Sequence, residues 1–134
     1  LRVTYGAVDG WVEKGERVVP FTQMGQTYER ATGNDPFRMP DSWLEAKDQL
    51  DLDTRFNFSA TTDIIGGNSG SPVINARGEL VGLAFDGNIH SIAGDFWFDE
   101  RVNRTVSVHV AAMIEALRVI YGGDRLIDEL VIKP

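Results

Sequence analysis

Residues 2–8 alternate, with Val3, Tyr5 and Ala7 on one side and Arg2, Thr4 and Gly6 on the other, which predicts a half-buried strand. Gly6, Gly10 and Gly15 punctuate the next stretch, and Val18-Val19 suggests a second short strand before Pro20. Residues 21–32 read as a short helix, stopped at Gly33 ahead of the turn-forming Gly33-Asn34-Asp35-Pro36. Ser42-Trp43-Leu44-Glu45 has the pattern of a capping box, in which Ser42 and Glu45 satisfy free amides at a helix start, and that helix is expected to reach Leu50. Arg55 to Ser59 alternates again as a strand and leads into a glycine-rich loop at 66–71. Two apolar runs come next, at 72–75 and 79–85, joined by Ala76-Arg77-Gly78; Gly78 can take the positive φ of a tight hairpin. After a long loop from Asp86 to Asn103, Thr105 to Val108 reads as a last strand. Val110, Met113, Ile114, Leu117 and Tyr121 then share one helical face, and Gly122-Gly123 ends that helix. The pattern is that of a mostly β domain closed by a C-terminal helix.

A length of 134 residues suits one domain. Hydrophobic residues at 43% and charged residues at 25% give a balance that folds rather than stays disordered. No apolar run approaches the ~20 residues of a membrane-spanning helix. The net charge of −7, with scattered Lys and Arg, argues against a nucleic-acid partner, since phosphate binding needs clustered cations. The absence of cysteine removes disulfides, thiolate metal sites and a cysteine nucleophile. The chain opens Leu1-Arg2-Val3, directly into the first expected strand and without an initiator Met, which reads as a fragment of something longer.

Candidate chemistry sits in Gly66-Gly67-Asn68-Ser69-Gly70-Ser71-Pro72. A hydroxyl becomes a useful nucleophile when a base takes its proton and preorganised donors stabilise the oxyanion that forms. A glycine-rich turn supplies the second requirement, because the amides of Gly67 and Ser69 can converge beside the Ser69 hydroxyl. A plain glycine-rich loop is the alternative. The order of a strand before, an apolar hairpin after and a C-terminal helix favours the nucleophile. A phosphate loop is disfavoured, since no Gly-Lys-Ser/Thr is present after the glycines and a strand comes next.

The run Thr62 to Val73, then Gly82 to Asn88, then Arg104-Thr105-Val106-Ser107-Val108, resembles the bacterial dipeptidyl-peptidase 7 and 11 family; Leu1 to Gly6 and Phe21 to Thr32 resemble its upstream segment. The resemblance implies the second β-barrel of a chymotrypsin-like serine peptidase, with short helices and a C-terminal helix, over residues 1–134. It implies an exported exopeptidase, periplasmic or at the cell surface, that removes dipeptides from peptides with a free N-terminus. Ser69 is then the nucleophile, Gly67 and Ser69 form the oxyanion hole, Asp86 holds the substrate ammonium, and Gly87 lines the pocket for the penultimate side chain. Glycine there, where the acidic-specific branch carries arginine, implies a preference for hydrophobic residues. The triad His and Asp would lie in an N-terminal barrel outside this chain. That barrel and an inserted helical domain of the same parent are the expected partners, with room for a homodimer. No cofactor or metal is called for.

His90 and His109 are read as exposed or structural, not as substitute bases. Asp63, six residues before Ser69, has the spacing of a basic-side-chain selector but is read as structural in the loop. Asn68 stands where digestive proteases carry an aspartate, so their activating ion pair is not expected. Asp51/Asp53 and Asp99/Glu100 are read as solvated carboxylates, and Trp11, Trp43 and Trp97 serve either the core or an interface. Two rival functions remain: half of an HtrA-type endopeptidase, and a non-catalytic peptide-binding barrel.

Overall fold

The computed structural model describes residues 3–94 and 96–130. Its frame is a five-stranded antiparallel sheet in the order β3-β4-β7-β6-β5. The strands are β3 (Phe21–Gln23), β4 (Arg55–Ala60), β5 (Pro72–Ile74), β6 (Leu80–Gly87) and β7 (Thr105–His109). A separate hairpin pairs β1 (Trp11–Glu13) with β2 (Glu16–Val18). The helices are α1 (Met24–Arg30), α2 (Asp41–Ala46), α3 (Val110–Val119) and α4 (Asp124–Glu129). Short 3-10 turns occupy Lys47–Gln49 and Ile89–Ala93.

Strand β7 is central, with Asn57↔Val108 to Ala60↔Thr105 on one side and Gly82↔His109 to Gly87↔Thr105 on the other. Its small hydroxyl residues Thr105 and Ser107 are buried while Val106 and Val108 on the alternate face are half-buried, so both faces of the strand are covered. The main core lies where helices meet the sheet. Met24, Ala46, Leu50 and Ala112 are buried together, with Tyr28, Trp43, Phe56 and Ile120 packed around them. The hairpin expected from 72 to 85 forms, Gly78 having φ +76, but its second strand runs on through Asp86 and Gly87, which the sequence pattern assigns to the following loop.

Several elements depart from the sequence pattern. Residues 3–7 are not a strand, and only Val8 forms a bridge, to Ala60; Arg2 lies outside the described residues. The alternation is present, but threonine hydroxyls intercept the ladder: the Ala7 amide donates to Thr61 Oγ1 at 2.9 Å and the Asp63 amide to Thr4 Oγ1 at 3.1 Å. The helix expected over 21–32 begins only at Met24, because Phe21 pairs with Phe58 and the Asn57 amide donates to Thr22 Oγ1 at 3.0 Å. Ser42 does not cap α2. The Pro40 carbonyl accepts from Trp43 and Leu44 at 3.0 and 3.2 Å, which starts the helix at Asp41 and puts Ser42 inside its first turn. The reciprocal bond expected there occurs instead at α1, where Gln26 Oε1 accepts from the Gln23 amide at 2.8 Å. The strand suggested at Val18-Val19 runs instead from Glu16 to Val18, paired with β1. Strand β1 and helix α4 have no counterpart in the sequence pattern, their three and six residues being too short for a period to register.

Candidate active site

Ser69 lies in the connection between β4 and β5, and that connection is built by its neighbours. The Asn68 side chain folds back to accept from the Ile65 amide at 2.9 Å, while the Asn68 amide donates to the Ile65 carbonyl at 3.2 Å. The Ser71 amide donates to the Asn68 carbonyl at 2.9 Å. Two further bonds fasten the turn to β6: Gly70 amide to Ala84 carbonyl at 2.7 Å, and Ala84 amide to Ser71 carbonyl at 2.9 Å. Gly67 and Gly70 have φ of +93 and +85, a left-handed conformation that a side chain would strain. Ser69 thus sits exposed between two glycines that this conformation favours.

The amides of this turn divide into two sets. Those of Asn68, Gly70 and Ser71 are used, whereas those of Gly66, Gly67 and Ser69 donate to no group among the described residues. The Ser69 hydroxyl donates to the Phe85 carbonyl at 3.2 Å. Phe85 is the extra residue of a bulge between the pairs Ala84↔Ser107 and Asp86↔Val106. A carbonyl oxygen holds the hydroxyl but cannot act as its base.

Asp86 is the next residue, exposed, with Oδ1 accepting from the Gly87 amide at 2.8 Å and no cationic partner among the described residues. Gly87 is placed by space rather than by backbone conformation: a β-carbon there would stand 2.6 Å from Ser91 Cβ and 3.1 Å from Ser91 Oγ. Buried Asn88 ties this segment down, its Nδ2 donating to the Val102 carbonyl at 2.7 Å and its Oδ1 accepting from the Ser91 hydroxyl and the Arg104 amide at 3.0 and 3.1 Å. Arg104, also buried, spends its guanidinium on the carbonyls of Gly10, Glu100, Asn103 and Arg101. Sequence reasoning missed Phe85, Asn88, Ser91 and Arg104 as parts of the site. A charged residue opening a buried strand was the available signal for Arg104.

Neither histidine serves Ser69. His90 pairs with Glu13 at 2.6 Å, and its hydrogen bond, assisted by one from Trp11, lowers the Glu13 pKa. His109 caps α3, its Nδ1 accepting from the Ala111 amide at 3.1 Å, and burial among Phe21 and Phe58 lowers its pKa, as does nearby Arg55. The Asp63 carboxylate is exposed and bonded to no described residue; only its amide anchors the loop. Asp99 is not merely solvated, since Arg101 forks onto it at 2.9 and 2.6 Å and holds its pKa at about 2. Trp43 joins the core and Trp97 is exposed. Among the described residues no cluster of His, Asp and Glu could hold a metal ion, and no helix is long and apolar enough to cross a membrane. A hollow of about 580 Å³ on the α1–α2 side, lined by Arg30, Phe37, Met39 and Trp43 among others, includes none of Ser69, Asp86 or Gly87.

A sheet of this order, with an exposed serine between left-handed glycines ahead of a hairpin, is consistent with the barrel part of a chymotrypsin-like fold. The model of the peptidase S46 family matches residues 1–132, and the chain belongs to that family. It is 36% identical to dipeptidyl-peptidase 7 of Capnocytophaga gingivalis over 98% of its own length and 20% of that protein. It is 31% identical to the Asp/Glu-specific dipeptidyl-peptidase of Shewanella putrefaciens, over 97% of the chain and 22% of the relative. Among solved structures, DPP11 of Porphyromonas endodontalis in complex with the dipeptide Arg-Asp superposes with a TM-score of 0.85 at 30% identity, covering 97% of this chain and 20% of that one. The chain therefore spans about one fifth of the length of these relatives.

Proposed function

We propose that the chain is the C-terminal, nucleophile-bearing barrel of a longer serine dipeptidyl-peptidase, residues 1–134 forming one part of its catalytic domain. The observation that carries this reading is the Ser69 turn: among the described residues the amides of Gly66, Gly67 and Ser69 donate to no group, while those of Asn68, Gly70 and Ser71 are committed, and Ser69 stands exposed between left-handed Gly67 and Gly70. In this reading Ser69 Oγ attacks the carbonyl carbon of the second peptide bond, and a histidine on the parent's N-terminal barrel, oriented by an aspartate, takes its proton. The amides of Gly67 and Ser69 stabilise the tetrahedral oxyanion. Collapse expels the shortened peptide as an amine, protonated by the same histidine, and leaves the dipeptide as an ester on Ser69. Water then attacks that ester and regenerates the hydroxyl.

Asp86 supplies the counter-charge for the substrate's terminal ammonium, which fixes the cut two residues in. Its exposure and lack of a cationic partner among the described residues support that role. Gly87 contributes no charge, so a hydrophobic penultimate residue is preferred, as a carboxylate desolvated without a partner is penalised. Peptides with a free N-terminus are the substrates, and the periplasm or cell surface is the setting.

The test is made on the full-length protein with a fluorophosphonate probe and dipeptidyl reporter substrates. Ser69 should be labelled, and Ser69→Ala should abolish labelling and lower kcat by on the order of 10⁴-fold or more. Undiminished labelling in Ser69→Ala would remove this serine as the nucleophile. Cleavage of N-blocked internal peptides as fast as free ones would remove the exopeptidase reading.

A further inference from the structure

Resting on the reading of Gly87 as a wall of the side-chain pocket, we propose that Ser91 is a second specificity-determining residue. Its β-carbon occupies the place that a side chain on residue 87 would enter, so residue 91 decides how position 87 can be used. The φ of Gly87 is not in the left-handed region, so the backbone itself would accept other residues. What forbids them is the contact of 2.6 Å between an added β-carbon and Ser91 Cβ, closer than such atoms approach.

The obstruction cannot rotate away, because a β-carbon moves only with its backbone. That backbone is held from three directions. The Ser91 amide donates to the Asn88 carbonyl at 2.9 Å, and the Ser91 hydroxyl donates to Asn88 Oδ1 at 3.0 Å and reaches the Arg104 carbonyl at 3.3 Å. One residue earlier, His90 is clamped to Glu13 on β1 at 2.6 Å. Asn88 is itself buried and bonded to Val102 and Arg104. A side chain at position 87 must therefore displace the Ile89–Ala93 turn as a unit, and deleting the Ser91 side chain is the simplest way to make room.

The test compares Gly87→Arg, Ser91→Gly, and the double variants Gly87→Arg/Ser91→Gly and Gly87→Arg/Ser91→Ala in the full-length protein. Melting temperature and kcat/KM are measured on dipeptidyl reporters ending in Leu or Asp. Gly87→Arg alone should melt below the parent. Adding Ser91→Gly should recover the melting temperature and raise kcat/KM for Asp about tenfold above the single variant, the factor that relieving an overpacked contact provides. Adding Ser91→Ala, which keeps the β-carbon, should do neither. The proposal is overturned if Gly87→Arg melts like the parent, or if the Ala double variant matches the Gly one. If Gly87→Arg does not accumulate folded, Gly87→Ala carries the same β-carbon through the same melting comparison. Melting coupling with an unchanged Leu-to-Asp ranking in every variant would refute the pocket assignment of Gly87, and with it the specificity role of Ser91.

Discussion

Asn68 does for the Ser69 turn what no glycine can: its side-chain oxygen accepts from the Ile65 amide and closes the loop around the serine. The position calls for an acceptor and not for a charge, which separates this turn from one organised by an aspartate ion pair. Asn68→Ala in the full-length protein should lower kcat by about 100-fold with little change in KM, since small misplacements of a nucleophile cost that much. Asn68→Asp, which keeps the acceptor, should retain most of the activity. Equal losses in both variants would show that the bond to Ile65 is not what positions Ser69. Ser69 itself was legible from its glycine setting. The partner of its hydroxyl, the Phe85 carbonyl, was not, because a bulge is a mismatch between two strands and leaves no mark in either alone.

At the scale of elements, α3 depends on the histidine that precedes it. His109 accepts from the Ala111 amide through Nδ1, which it can do only as the neutral ring. Burial, and then Arg55, place its pKa below the ordinary value of 6.5. The unfolded chain therefore binds the proton more readily than the folded one. This contribution to stability is present above the ordinary value and is lost as pH falls from there toward the folded pKa. His109→Asn keeps an acceptor at the N-cap but removes the titration. Denaturation midpoints between pH 5 and 8 should fall with acid more steeply in the parent than in His109→Asn. Parallel curves would show that His109 does not report on folding. The same scale explains the misread boundaries. Threonine hydroxyls broke the first strand and the Pro40 carbonyl moved a helix start, and both are choices between competing acceptors.

Across the whole molecule, the segment after β6 carries large apolar side chains into solvent: Ile92 is 79% exposed, Phe96 95% and Trp97 71%. Apolar groups gathered on one loop mark a surface that expects cover. The isolated 134-residue chain should bind ANS or self-associate, and should release no dipeptides at a useful rate, because its Ser69 hydroxyl is held by a carbonyl and not by a base. A monomeric, ANS-silent preparation would show that the loop needs no partner. Dipeptide release lost on Ser69→Ala in that preparation would show that a base lies within this chain.

Hydrophobic period, turn glycines and a glycine-flanked serine were enough to determine a mostly β domain, its β5–β6 hairpin, its helix after β7 and the exposed serine turn proposed as the nucleophile's, since each is encoded by neighbours in sequence. The tertiary structure alone decided the central place of β7, the bulge that gives Ser69 a carbonyl partner, and the network in which Arg104 and Asn88 hold Ser91 against Gly87. These depend on residues brought together across as many as 94 positions of chain, as in the bond from Arg104 to Gly10. Local propensity carries no information about which distant backbone will supply an acceptor or fill a space, so such contacts exist only once the sheet has closed them.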